Sequence, residues 1–211
     1  MPSLKKHWPR WLAHALAAIP LLVLLIAFAT NDLTANPIQF VTKETGEWAL
    51  RLLIISLVIS PLNLVSGWKT LPALRRPLGL WAFFYATLHM LTFMVWDYRL
   101  DWGLIWEEVL GKRFVIAGLT AFALLLPLAF TSTRGWMKRL GKRWKLLHRL
   151  VYVAALVVIV HWVWSVKADY REPLIYGGIV AALLLLRLPP VRRRIGAWRA
   201  RRQTAVPAKS V

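Results

Sequence analysis

Six apolar runs, each close to the length of a membrane-spanning helix, divide this chain and leave no stretch long enough for a separate soluble domain. A helix rises about 1.5 Å per residue, so a hydrocarbon core of about 30 Å takes about 20 mostly apolar residues. The runs are Trp11–Thr30, Trp48–Trp68, Leu78–Trp96, Phe114–Ser132, Leu147–Val166 and Pro173–Leu188. They predict an all-α bundle of six transmembrane helices over residues 11–188, preceded by a short segment (1–10) and followed by a basic tail (189–211). The tail is expected to be unfolded or to lie on the membrane surface. Pro20, Pro61 and Pro127 fall inside runs and are expected to bend their helices. No internal repeat is visible in the residue identities. The first run, with its basic start and Ala27–Ala29, also has features of a secretory leader. Its apolar stretch is long for a leader, and removing it would improve the register of no later basic loop, so it is read as a span.

Charge fixes the expected orientation. Lys5, Lys6 and Arg10, the Lys69–Arg76 connection, the Arg134–Lys145 connection and the tail alternate with segments that carry all nine acids: Asp32, Glu44, Glu47, Asp97, Asp101, Glu107, Glu108, Asp169 and Glu172. Positive charge stays on the cytoplasmic side, so both termini are expected inside. The net charge of +19 would also suit a nucleic-acid binder, but the cations lie between apolar runs, which excludes that partner. They are read as setting topology and touching anionic lipid. The thirteen Trp fit a membrane-interface belt.

The chain contains no Cys, which rules out disulfides, iron–sulfur clusters, thiolate zinc sites and covalently attached heme. A metal must be held by His, Met or carboxylate. Four of the five His lie in or against the bilayer: His14, His89, His148 and His161, with His7 outside. An ionisable group in hydrocarbon is costly and marks function. A single buried imidazole also serves as a helix–helix hydrogen bond, and for His14 that role stands beside a ligand role. Counted along helices, His89 and His161 share a depth in the outer half, while His148 lies about 20 Å from His161 along one helix, nearer the cytoplasm. The pattern predicts b-type heme, with an outer site of His89 and His161 and an inner site using His148, with or without His14. Arg75 and Arg76 are candidates for a heme propionate or a flavin phosphate, against the plainer reading as positive-inside charge. A transporter with His along its path and a non-catalytic scaffold are the rival classes.

Three segments carry a resemblance: RRPLGLWAFFYATLHMLTF (75–93), LAFTSTRGWMKRLGKRWKLLHRLVYV (128–153) and HWVWSVK (161–167). Together they resemble the MsrQ (YedZ) family, the heme-binding membrane subunit of the periplasmic methionine-sulfoxide reductase system, which has a ferric reductase-like transmembrane domain. The resemblance implies electrons taken from the quinone pool, or from a cytoplasmic flavin reductase. They would pass through b-type heme, one or two groups, to a molybdenum-containing periplasmic subunit that repairs oxidised proteins, all at the bacterial inner membrane. It implies His89, His148 and His161 as heme-ligand positions, His14 as a His common in the first span, and an FMN for which no residues are identified. The wider oxidase pattern places a His pair on each of two helices. Here the third span has His89 alone, which leaves the inner site without its usual partner. A ferric reductase-like cytochrome with another acceptor is the alternative. The acceptor is expected to dock on the outer connections Asp97–Arg113 and Lys167–Glu172, beside Trp96, Trp102 and Trp106.

Overall fold

The computed structural model describes residues 4–204. The expected spans form as α1 (Leu4–Ala29), α2 (Pro37–Ser66), α3 (Arg75–Leu91), α5 (Arg113–Phe130), α8 (Leu150–Ser165) and α9 (Arg171–Leu185). Shorter helices fill the connections: α4 (Trp102–Gly111) on the acid-rich side, and α6 (Arg134–Leu140) and α7 (Lys142–Leu147) on the basic side. Among the described residues five helices are long and apolar enough to cross a membrane, and a sixth span counts only when α9 is joined to α10 (Pro189–Thr204) across a 73° bend. At 15 residues α9 reaches only about 22 Å.

Three expectations shift. The tail is helical through Thr204 and turns back on α2, where Arg199 Nη1 donates to Leu64 O at 3.4 Å. Residues 205–211 of the tail lie outside the described residues. The second span starts at Pro37 rather than Trp48, because Asn36 caps the helix by accepting from Gln39 N and Pro37 supplies a preset first turn. The Asp97–Arg113 connection is mostly helix, capped by the Asp101 carboxylate on Gly103 N and Leu104 N. Burial and the Glu108 carboxylate push the Tyr98 phenol at its start up to about 12, so it stays neutral.

The packing centres on two helix pairs, α2 with α3 and α5 with α8, joined where α3 meets α5 and α2 meets α8. Their shared core holds Leu50, Leu53, Leu57, Ala82, Tyr85, Leu125, Ala154 and Ala155. Ala154 and Ala155 have no exposed surface, so small residues let α8 approach its neighbours closely. The outward apolar faces, such as Leu22, Val23 and Ile26 of α1, are exposed because the bilayer is their solvent.

Two polar side chains bind helix backbone beside a proline. Pro61 has no N–H, so the Leu57 carbonyl loses its intrahelical donor. Arg187, at the end of α9, donates Nη2 to Leu57 O at 2.6 Å and Nη1 to the Tyr152 hydroxyl at 2.6 Å. Next to Pro20, the fully buried Tyr85 hydroxyl sits in the α1 ladder, accepting from Leu21 N at 2.9 Å and donating to Ala17 O at 2.9 Å. Removing it leaves two buried backbone groups to re-pair alone. Tyr85→Phe is expected to cost about 1 kcal/mol and lower the thermal midpoint in detergent; an unchanged midpoint would mean the α1 rung closes without the hydroxyl. For the orientation, a fluorescent protein fused after Val211 should mature while alkaline phosphatase fused there stays inactive; the reverse pattern would turn the bundle over.

Candidate functional site

His89 sits on α3 one turn before a π-helical segment, Thr92–Asp97, and its ring leans onto α2. His161 sits on α8 and leans onto α5. The structure brings the two imidazoles together, with ring centroids 6.0 Å apart and planes at 80°. Both rings are half-buried. His89 Nδ1 is 2.8 Å from Thr42 O, and His161 Nδ1 is 2.7 Å from Phe114 O. A carbonyl only accepts, so in each ring Nδ1 carries the hydrogen. In the neutral imidazole Nε2 then holds the lone pair, and neither Nε2 makes a hydrogen bond. Around His89 the bonds close into a loop: the Thr42 hydroxyl pairs with Thr92 Oγ1 at 3.1 Å, and Thr92 Oγ1 donates to His89 O at 2.8 Å.

His148 follows the same rule at the basic end. It caps α7, stacks on Trp144 with centroids 3.9 Å apart, and directs Nδ1 to Trp144 O at 3.2 Å. Its Nε2 is buried without a partner. Trp144 is itself fixed by donating Nε1 to Thr131 O at 2.9 Å, which ties α7 to the end of α5.

His14 is different. Trp81 Nε1 donates to His14 Nδ1 at 2.9 Å, so this Nδ1 is the acceptor and the ring has the opposite tautomer. The structure does not bring His14 to His148; it uses His14 as a hydrogen bond between α1 and α3. Hydrogen bonding therefore separates the four His in or against the bilayer into three with Nδ1 on a backbone carbonyl and one engaged between helices.

The arginines also divide. Arg76 is exposed. Arg75 is half-buried, its carbonyl accepts from Ser56 Oγ at 3.1 Å, and its Nε is buried without a partner. Arg187 reaches the adjacent α2 residue, Leu57, and its Nε is likewise unpartnered. Arg75, through its carbonyl, and Arg187, through its guanidinium, thus attach to adjacent α2 residues near the basic end, where the sequence carries no acid. Glu108 Oε2, also buried, is paired with Lys112. Reading from the sequence passed over Arg187 as a helix-end residue, and missed Tyr152 and Gly46 and Gly118 beside the rings. The Leu57–Pro61 spacing is the one local signal that could have pointed to a donor for that carbonyl.

Among the described residues no three His, Cys, Asp or Glu side chains surround a common point, so there is no all-protein cage for a bare metal ion. Two facing imidazoles suit instead an iron whose other positions are filled by a macrocycle. His89 and His161 would hold such an iron between them: with metal–imidazole bonds of about 2 Å, two rings on one iron would have centres roughly 6 Å apart, which their separation of 6.0 Å fits.

Comparison with known proteins agrees with this architecture. Residues 45–159 match the family described as ferric reductase like transmembrane component, a stretch that includes His89 and His148 and ends just before His161. A protein-methionine-sulfoxide reductase heme-binding subunit MsrQ of Rhodospirillum rubrum is 46% identical over 183 residues, covering 86% of this chain and 88% of the relative. Its counterpart in Herminiimonas arsenicoxydans is 48% identical over 175 residues, covering 82% and 80%. That of Xanthomonas axonopodis pv. citri is 42% identical over 205 residues, covering 93% of both. With relatives this similar along nearly its whole length, the multi-pass membrane chain belongs to the MsrQ family, with a ferric reductase-like transmembrane domain.

Proposed function

We propose that the chain is the electron-transfer subunit of a methionine-sulfoxide reductase system in the bacterial inner membrane, binding b-type heme between His89 and His161 and passing electrons outward to a periplasmic catalytic subunit. One observation carries this reading: two imidazoles on different helices, 6.0 Å apart, both with Nδ1 committed to a backbone carbonyl and Nε2 left free. A transporter's relay would be expected to link its imidazoles to carboxylates along a path. Heme bound here supplies a one-electron carrier in a medium that otherwise blocks charge. The protein's part is to hold both rings in one tautomer and to raise their basicity through the carbonyl bonds.

His148 serves a second, inner redox site. Its Nε2 is buried and free, and Arg75 and Arg187 supply uncompensated positive charge on the same side for the acidic groups of a cofactor, whether heme propionate or flavin phosphate. Arg76, being exposed, is left to the membrane surface and the donor. Electrons would enter on this side from the quinone pool or a cytoplasmic flavin reductase, and FMN rests on the family resemblance alone. On the outer side α4 displays Trp102, Trp106 and Glu107 to solvent or partner, and a molybdenum-containing reductase is the expected acceptor.

His89→Ala and His161→Ala are each expected to remove most of the heme absorbance, whereas His148→Ala should spare the outer heme spectrum while lowering heme content or slowing reduction from inside. Full heme content in both His89→Ala and His161→Ala would overturn the assignment. The docking surface is tested at Glu107 and Asp97, because reversing Asp101 would also uncap α4. Glu107→Lys with Asp97→Lys should slow transfer to the periplasmic reductase at low salt, with heme content unchanged and the difference shrinking as salt rises. Equal rates at low salt would move the docking site off α4.

A further inference from the structure

The two ring-binding helices repeat one arrangement. His89 meets Thr42 O across 47 residues of sequence, and His161 meets Phe114 O across the same 47. In each case a glycine follows the carbonyl residue by four positions: Gly46 after Thr42 and Gly118 after Phe114. Thr42, Gly46 and His89 are each followed, 72 positions later, by Phe114, Gly118 and His161. Residue identity conceals this repeat, since only the glycine and the histidine are shared.

The glycines have a physical reason. The Cα–Cβ bonds of a helix tilt toward its N-terminus, so the Cβ of one residue overhangs the carbonyl four residues earlier. That carbonyl already takes the helix's own N–H but can accept a further donor, and at Thr42 the Thr45 hydroxyl shares it at 3.1 Å. A methyl group at Gly46 would stand 2.9 Å from His89 Nδ1 and 3.1 Å from Cε1. At Gly118 it would stand 2.8 Å from His161 Cε1 and 2.9 Å from Nδ1. A rigid five-membered ring held by its Nδ1 hydrogen bond can retreat only by lengthening that bond. Glycine is a poorer helix former than alanine, and in mid-helix it costs stability unless something needs the space.

We infer that Gly46 and Gly118 are positioning residues: by lacking a Cβ they uncover the Thr42 and Phe114 carbonyls and thereby fix the tautomer, tilt and mutual spacing of His89 and His161. This rests on the two rings being the outer heme ligands.

The test uses the full-length, heme-loaded protein. Gly118→Ala and Gly46→Ala should each weaken heme retention roughly 10–100-fold, the usual effect of removing a ligand's outer hydrogen bond. The heme that remains should show a changed low-spin paramagnetic resonance signal and a shifted midpoint potential. Gly178→Ala, where an added Cβ meets nothing within 4 Å, should leave all three unchanged. The heme-free protein gives a second readout: Gly118→Ala should lower the thermal midpoint in the wild-type background, and raise it or leave it unchanged in the His161→Ala background, where the ring is gone. Unchanged heme retention, resonance signal and potential in both glycine variants would overturn the inference while leaving the ligand assignment intact. Full heme content in His89→Ala and His161→Ala would instead remove the reading beneath it. If the alanine variants do not accumulate, nitrogen-15 histidine spectra of the wild-type protein decide: both rings should be protonated at Nδ1, and the Nε2–H form in either ring would overturn it.

Discussion

The outer site depends on a hydrogen bond from an imidazole on one helix to a backbone carbonyl on its neighbour. In hydrocarbon a neutral imidazole presents one donor and one acceptor, and water is not there to satisfy either. Where its rungs are closed, the helix backbone offers a side chain only carbonyl lone pairs, because the interior N–H groups are already used. A ring that bonds to it must therefore donate, and the nitrogen left over must be the basic one. His89, His148 and His161 all follow this logic, each with Nδ1 on a carbonyl. His14, facing the indole donor of Trp81, is forced into the opposite form.

The same accounting governs the rest of the membrane interior. Pro61 strips the Leu57 carbonyl of its donor, and Arg187 supplies one from another helix. The α1 rung beside Pro20 takes in the Tyr85 hydroxyl. Each of these bonds fastens two helices, so backbone beside a proline becomes a polar joint of the bundle. Apolar packing gives these helices little reason to prefer one partner over another in lipid, whereas a directed hydrogen bond does.

The two ends of the bundle are built differently. The outer end is duplicated, with matching carbonyl, glycine and imidazole on α2–α3 and α5–α8. The basic end is not: 72 positions before His148 stands Arg76, and the neighbouring Arg75, like Arg187, has a buried Nε without a partner. One half offers an imidazole and the other positive charge, so the two ends differ in the chemistry they present.

The sequence by itself determined the all-α multi-pass class, the approximate place of the apolar helices, the separation of acids from cations along the chain, and which histidines lie on or against those helices. It could do so because hydropathy, charge bias and helix rise are properties of short stretches that hold whatever packs beside them. The depth of His89 and His161 followed from the same counting. Tertiary structure decided everything that needs two helices at once. It closed the distance between those rings, set His14 apart with Trp81, and gave Arg187 a carbonyl to cap. It also revealed the repeat, because what is repeated is a backbone carbonyl and an absent Cβ, and neither a Thr at one carbonyl nor a Phe at the other marks them in a string of letters. The helical connection over Trp102–Gly111 was concealed for a related reason: Trp102, Leu104, Trp106 and Leu110 face outward and only Ile105 is buried, so the pattern of a helix packed on a core is not there to be read.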